Sequence, residues 1–82
     1  MTLTVKLFGP AARIIGSSEL HIQETGAALT CGRLRTAIAK HYPQLAEFIP
    51  SGRIAVNYSY ASDDMVLTGD EEIALIYAVS GG

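Results

Sequence analysis

The run Ile73-Ala74-Leu75-Ile76-Tyr77-Ala78-Val79 constrains this chain more than any other stretch. Seven successive residues carry no charge and no turn former, and the run is too short for a typical helix, so it reads as a strand. A strand that is apolar at every position is expected to be central in its sheet and covered on both faces. The rest of the chain must then supply strands for both its edges and at least one covering layer. With 82 residues there is room for one domain, 1–82, and 49% apolar against 17% charged residues makes that domain globular. A core of this size leaves little volume for a deep catalytic pocket, which favours a binding, carrier or subunit role.

The neighbours are legible. Thr2-Leu3-Thr4-Val5-Lys6-Leu7-Phe8 alternates with period two, placing Leu3, Val5 and Leu7 on the core face and Phe8 on the other. Gly9-Pro10 ends that strand, and Pro10 suits the first position of a helical turn over 11–15, closed by Gly16. Glu19-Leu20-His21-Ile22-Gln23 alternates again, with Leu20 and Ile22 inward, and Gly26 opens a loop. Thr30 has the character of a helix N-cap. Leu34, Ala37, Ile38 and Tyr42 (or His41) then form an apolar stripe at helical spacing, with Arg33, Arg35 and Lys40 on the wet side and Pro43 as the stop. Gly32 weakens the start of this helix, and 45–49 has the makings of one further turn. Arg53-Ile54-Ala55-Val56-Asn57 predicts a third strand, 58–61 a short fourth, and Met65-Val66-Leu67 an irregular apolar plug before the Thr68-Gly69-Asp70 turn. The sum is an α+β domain, a mixed sheet of about five strands packed on one main helix.

Charge excludes one class of partner. Six bases and eight acids give a net charge of −2, against the basic footprint that nucleic-acid binding requires. The distribution is uneven. Residues 1–53 hold all six bases and three acids, whereas 54–82 hold Asp63, Asp64, Asp70, Glu71 and Glu72 and no base. This predicts a basic surface on whatever meets the C-terminal third. No apolar run approaches the length of a membrane span and no leader opens the sequence, so the expectation is a soluble cytoplasmic protein with neither nucleic acid nor membrane as partner. The single cysteine forms no internal disulfide.

Catalytic constellations are scarce. His21, His41 and Cys31 lack metal-ligand spacing, so no metal site is expected. His21 reads as a solvent-facing strand residue and His41 as a helix-end residue. Cys31, in the first helical turn, is either activated by the helix dipole or buried as a small hydrophobe. The acidic run over 63–72 lacks the spaced ligands of a calcium loop. What remains is the sequence Ser80-Gly81-Gly82 directly after the apolar strand. Without Cβ atoms Gly81 and Gly82 fit a slot too narrow for other residues. A terminal glycine carbonyl is unhindered once a partner converts its carboxylate to an acyl-adenylate. These features describe a carrier with 80–82 as a flexible tail, loaded in one active site and unloaded in another.

Several stretches carry a further signal: Val5-Lys6-Leu7-Phe8-Gly9-Pro10, Thr30 with Leu34, Ala55-Val56-Asn57 with Tyr60, Gly69-Asp70-Glu71, Ala74-Leu75-Ile76 and Val79-Ser80-Gly81-Gly82. In this order they resemble the ubiquitin-like MoaD/ThiS family of sulfur carriers, and within it the small subunit of molybdopterin synthase. Tyr77 and Ala78 stand where such carriers commonly have Pro-Pro, and Cys31 stands where they tend to have valine, which favours its buried reading. The resemblance implies a β-grasp fold with no bound cofactor. It implies that Gly82 is adenylated with ATP by an adenylating enzyme of the ubiquitin-activating type and converted to a thiocarboxylate. Ser80 and Gly81 complete the inserting tail. The sulfur then passes to a precursor pterin inside the large subunit of molybdopterin synthase, in an expected heterotetramer. On this reading the chain is the sulfur-donor subunit of a sulfurtransferase, without a complete active site of its own. Phe8, Tyr60 and Ile76 are the expected partner interface, on the sheet face away from the helix. A carrier for thiamin or another sulfur pathway, and a ubiquitin-like protein-binding module, are the alternatives.

Overall fold

The structure, a computed structural model, describes residues 2–24 and 29–77. The loop expected at Gly26 and the tail Ser80, Gly81 and Gly82 lie outside the described residues, as do Ala78 and Val79.

Alternation in the first strand, β1 (Thr2–Leu7), works as the sequence requires, with Leu3, Val5 and Leu7 buried and Thr2, Thr4 and Lys6 exposed. A short helix, α1 (Gly9–Ile15), follows with proline in its first turn and Ala11 buried. Gly16, at φ 79°, closes it and donates its N–H to the Ala12 carbonyl at 2.8 Å. Strand β2 (Glu19–Gln23) returns antiparallel to β1, with Val5 opposite Leu20 and Leu3 opposite Ile22. After β3 (Leu29–Thr30) the main helix α2 (Cys31–His41) begins, and the Thr30 hydroxyl accepts the Arg33 N–H at 3.2 Å as its cap. Lys40 and His41 occupy the last turn, where cations suit the negative helix end. A 3-10 turn, Pro43–Phe48, buries Leu45. Strands β4 (Gly52–Val56), β5 (Ser59–Tyr60), β6 (Val66–Leu67) and β7 (Ile73–Tyr77) complete the order.

The main sheet runs β2-β1-β7-β4-β5. Strand β7 is central, parallel to β1 with Leu7 beside Leu75, and antiparallel to β4 with Ile54 beside Leu75. One face of this sheet carries Leu3, Val5, Leu7, Leu20, Ile22, Ile54, Val56, Ile73 and Leu75 into a single core with Cys31, Leu34 and Ile38 of α2. No described side chain in that core leaves a buried polar atom without a partner.

Four expectations are corrected. Met65-Val66-Leu67 is not an irregular plug: Val66 and Leu67 form β6, which pairs antiparallel with β3, Leu29 opposite Leu67, as a separate two-stranded sheet. The pairing satisfies backbone groups that an irregular segment beside the buried Leu67 would leave unmet. The third strand ends at Val56, because Asn57 and Tyr58 both turn to positive φ, and the fourth is correspondingly shorter. Arg35 is not simply wet. It is half-buried, donating to the Ile49 carbonyl at 2.5 Å and to Asp63 at 3.2 Å, and so ties α2 to the turn after it. Finally, β7 is covered on one face only. Ile73 and Leu75 are buried under α2, while Ala74 and Ile76 on the reverse face are half-buried with no layer above them among the described residues.

Candidate docking groove on the open sheet face

The uncovered face has a shape that follows from strand register. Pairing sets Lys6 beside Ala74, Ala74 beside Ala55, and Ala55 beside Tyr60, one row across β1, β7, β4 and β5. Successive residues of a strand point to opposite faces, so this row lies opposite the core. Its two middle positions are alanines and its outer positions are long side chains. The floor is therefore low and the walls are high, giving a groove of about 350 Å³. Phe8, Ile76 and Tyr60 supply its apolar lining, and Lys6, Tyr58 and Glu72 its polar lining.

Phe8 is 53% and Tyr60 59% exposed, large for aromatic side chains in a chain with so few. The Arg53 guanidinium sits 4.7 Å over the Tyr60 ring, within cation–π range, and Arg53 pairs in register with Ile76. Within the polar lining Lys6 forms an ion pair with Glu72. Hydrogen bonding to Glu72, and its charge, push the Lys6 amine and the Tyr58 phenol above their ordinary ranges. In return, hydrogen bonds from Lys6 and Tyr58 hold the Glu72 carboxyl below its own. Asn57 fixes this corner: its N–H donates to the Glu72 carbonyl at 2.8 Å and its side-chain oxygen accepts the Glu72 N–H at 3.0 Å.

The three residues expected from sequence to face a partner, Phe8, Tyr60 and Ile76, thus line one groove on the predicted face. Sequence reasoning missed Lys6, Tyr58 and Glu72. The available signal was the pair of alanines, Ala55 and Ala74, inside strands otherwise built of larger side chains. Gly82, with Ser80 and Gly81, lies outside the described residues.

The other candidates resolve into structural roles. Cys31 is fully buried, and burial, with the charges of Asp63 and Glu71, raises its thiol above the ordinary range, so it is a packing residue and no nucleophile. His21 is exposed on β2 between Thr4, at 3.1 Å, and Glu19, at 3.7 Å. No group of three or more His, Cys, Asp or Glu converges as a metal ligand set among the described residues. The acidic third is largely spent within the fold: Asp63 meets Arg35, Glu72 meets Lys6, and Glu71 caps the turn at Thr68 and Gly69. Asp63, Asp64 and Asp70 remain exposed. Among the described residues no helix is long and apolar enough to cross a membrane.

A mixed sheet wrapped on one face by a single main helix, with its first and last strands parallel neighbours, is the ubiquitin-like β-grasp fold. The chain belongs to the ThiS family, whose profile matches residues 5–82, and is a MoaD/ThiS-type ubiquitin-like sulfur carrier. Solved structures agree on the fold. Small archaeal modifier protein 1 (SAMP1) from Haloferax volcanii superposes with a TM-score of 0.82 at 23% identity over 100% of both chains. A Pyrococcus furiosus protein described as molybdopterin converting factor, subunit 1, gives 0.80 at 23% identity, over 96% of this chain and 99% of its own. Subunits 1 and 2 of the molybdopterin-converting factor of Helicobacter pylori were solved as a protein–protein complex. One chain of that complex matches with a TM-score of 0.67 at 25% identity, over 100% of this chain and 100% of its own. No curated protein matches closely enough to count as a relative.

Proposed function

We propose that this chain carries sulfur for molybdenum cofactor biosynthesis as the small subunit of molybdopterin synthase. The observation that carries the sulfur-carrier part of the reading is the family match running through to Gly82, and the likeness to subunit 1 of molybdopterin-converting factors supports the choice of acceptor. In this scheme the Gly82 carboxylate attacks the α-phosphate of ATP in an adenylating enzyme of the ubiquitin-activating type, releasing pyrophosphate. A sulfur nucleophile then displaces AMP to leave a thiocarboxylate. Ser80, Gly81 and Gly82 enter the large subunit and donate sulfur to a precursor pterin. The groove gives that subunit something to hold, since exposed aromatic and aliphatic side chains around a low floor commonly anchor protein interfaces. The described residues supply the grip and no nucleophile, which leaves the chemistry to the tail and its partners.

A carrier for thiamin or another sulfur pathway is the second reading, because the family match itself does not choose the acceptor. One experiment addresses both. The chain is incubated with the adenylating enzyme, ATP and a sulfur donor, and its intact mass is followed for exchange of one terminal oxygen for sulfur. The loaded protein is then offered precursor pterin with the large synthase subunit. Loading without sulfur transfer to the pterin favours the second reading, and failure to load overturns both.

A further inference from the structure

The hairpin between β4 and β5 carries a residue its backbone does not suit. Asn57 and Tyr58 have φ of 50° and 71°, the pair of positive values of a two-residue turn that normally takes Asn-Gly. Asparagine tolerates this region, whereas a bulky aromatic residue there is a genuine outlier. Packing does little to offset the strain, because Tyr58 is 87% exposed and its polar neighbours Lys6 and Glu72 are themselves partly open to solvent. Within the chain its hydroxyl meets Glu72, but the ring, which destabilises its own turn, is left open at the groove for something outside the chain.

We propose that Tyr58 is an anchor for a partner-protein segment lying in the groove, and that this segment presents an apolar side chain to Ala55 and Ala74 and a carboxylate to Arg53. The inference rests on the carrier reading and deepens it by stating the chemistry of the surface that docks. Charge selects the occupant. Beneath Tyr58 the Lys6 charge is already met by Glu72, so that end of the groove is electrically closed and suits an apolar group. Beside the groove, in register with Ile76, Arg53 stacks on the lining residue Tyr60 and takes part in no salt bridge among the described residues, leaving its guanidinium to pair with an incoming carboxylate.

Binding and stability measured together test this. The native chain, Tyr58→Gly, Tyr58→Phe and Arg53→Glu are each titrated against the large subunit of molybdopterin synthase and against the adenylating enzyme. Thermal melts and light scattering are run alongside. Tyr58→Gly should raise Tm by about 4–8 °C through relief of the turn, while weakening binding to at least one of the two proteins about tenfold. Tyr58→Phe, which keeps the ring, should bind within about threefold of native. Arg53→Glu should weaken binding about tenfold at low salt, by an amount that shrinks as salt rises. Any of four results overturns the inference: native affinity in Tyr58→Gly, a fall in its Tm, unchanged affinity in Arg53→Glu, or a native dimer that Tyr58→Gly dissociates, which would make a second copy the occupant. If the native chain binds neither protein, the functional reading fails and this inference falls with it. Equal binding by native and variant chains defeats the inference alone.

Discussion

Glu71 shows how much one side chain settles in a small domain. Its carboxylate accepts the Thr68 N–H at 2.9 Å, the Gly69 N–H at 2.9 Å and the Thr68 hydroxyl at 3.1 Å, fixing the turn that launches β7. Burial raises its pKa, but hydrogen bonds from the Thr68, Glu71 and Gly69 N–H groups and the Thr68 hydroxyl outweigh that and leave it below the ordinary 4.5. The unfolded chain therefore binds more protons than the folded one as pH drops through this range. Stability contributed by Glu71 is present above pH 4.5 and is lost as pH falls through the lower folded value. Denaturant melts across that window should show a shallower loss for Glu71→Gln than for the native chain. Cys31 offers the complementary case. Cys31→Ser places a hydroxyl in a fully buried apolar site and should destabilise the domain by about 1–3 kcal/mol in chemical denaturation. Sulfur loading of the folded fraction should stay unchanged, since the thiol has no part in the proposed chemistry.

At the level of elements, tight approaches between strands and turns govern what can be changed. A Cβ added at Gly52 would lie 2.8 Å from the Phe48 carbonyl oxygen and 3.1 Å from a Leu75 methyl. Backbone stands on one side and the central strand on the other, so neither yields cheaply. Gly52→Ala should cost about 1–3 kcal/mol, read as a lowered denaturation midpoint with an unchanged m-value. Gly32 illustrates the same physics, since its N–H donates to the Asp63 carbonyl at 3.0 Å and an added Cβ would sit 3.1 Å from Asp63 Cβ. From sequence it reads only as a weak helix start, because propensity records the local cost and not the distant loop that needs the space. The alternation in β1 and β2, the Thr30 cap and the stop at Pro43 were legible because each depends on neighbours in the chain. The β3–β6 pair was not, as two strands of two residues carry no periodicity. Half of the groove was legible for a similar reason. Phe8, Tyr60 and Ile76 stand out as apolar residues on the far face, whereas Lys6, Tyr58 and Glu72 meet only through the register of strands distant in sequence.

At the scale of the whole molecule, the last fully buried residue among those described is Leu75, and the described part of the central strand runs to Tyr77. Removing Gly82 should therefore leave Tm nearly unchanged while abolishing thiocarboxylate formation, as judged by intact mass and a reconstituted sulfur-transfer assay. Retained transfer by the shortened chain would overturn the proposed chemistry.

The parallel pairing of β1 with β7 also bears on how the protein comes into being. Val5 meets Ile73 and Leu7 meets Leu75, so the earliest hydrophobic residues wait for some of the latest before the sheet can join. Contacts so far apart along the chain slow folding, because a large loop must close before they reward it. A nascent polypeptide emerging from the ribosome would hold β1 and β2 as a hairpin without a centre until β7 follows. The sheet therefore closes only once β7 has left the exit tunnel, so assembly of this domain during synthesis is expected to pause at the hairpin.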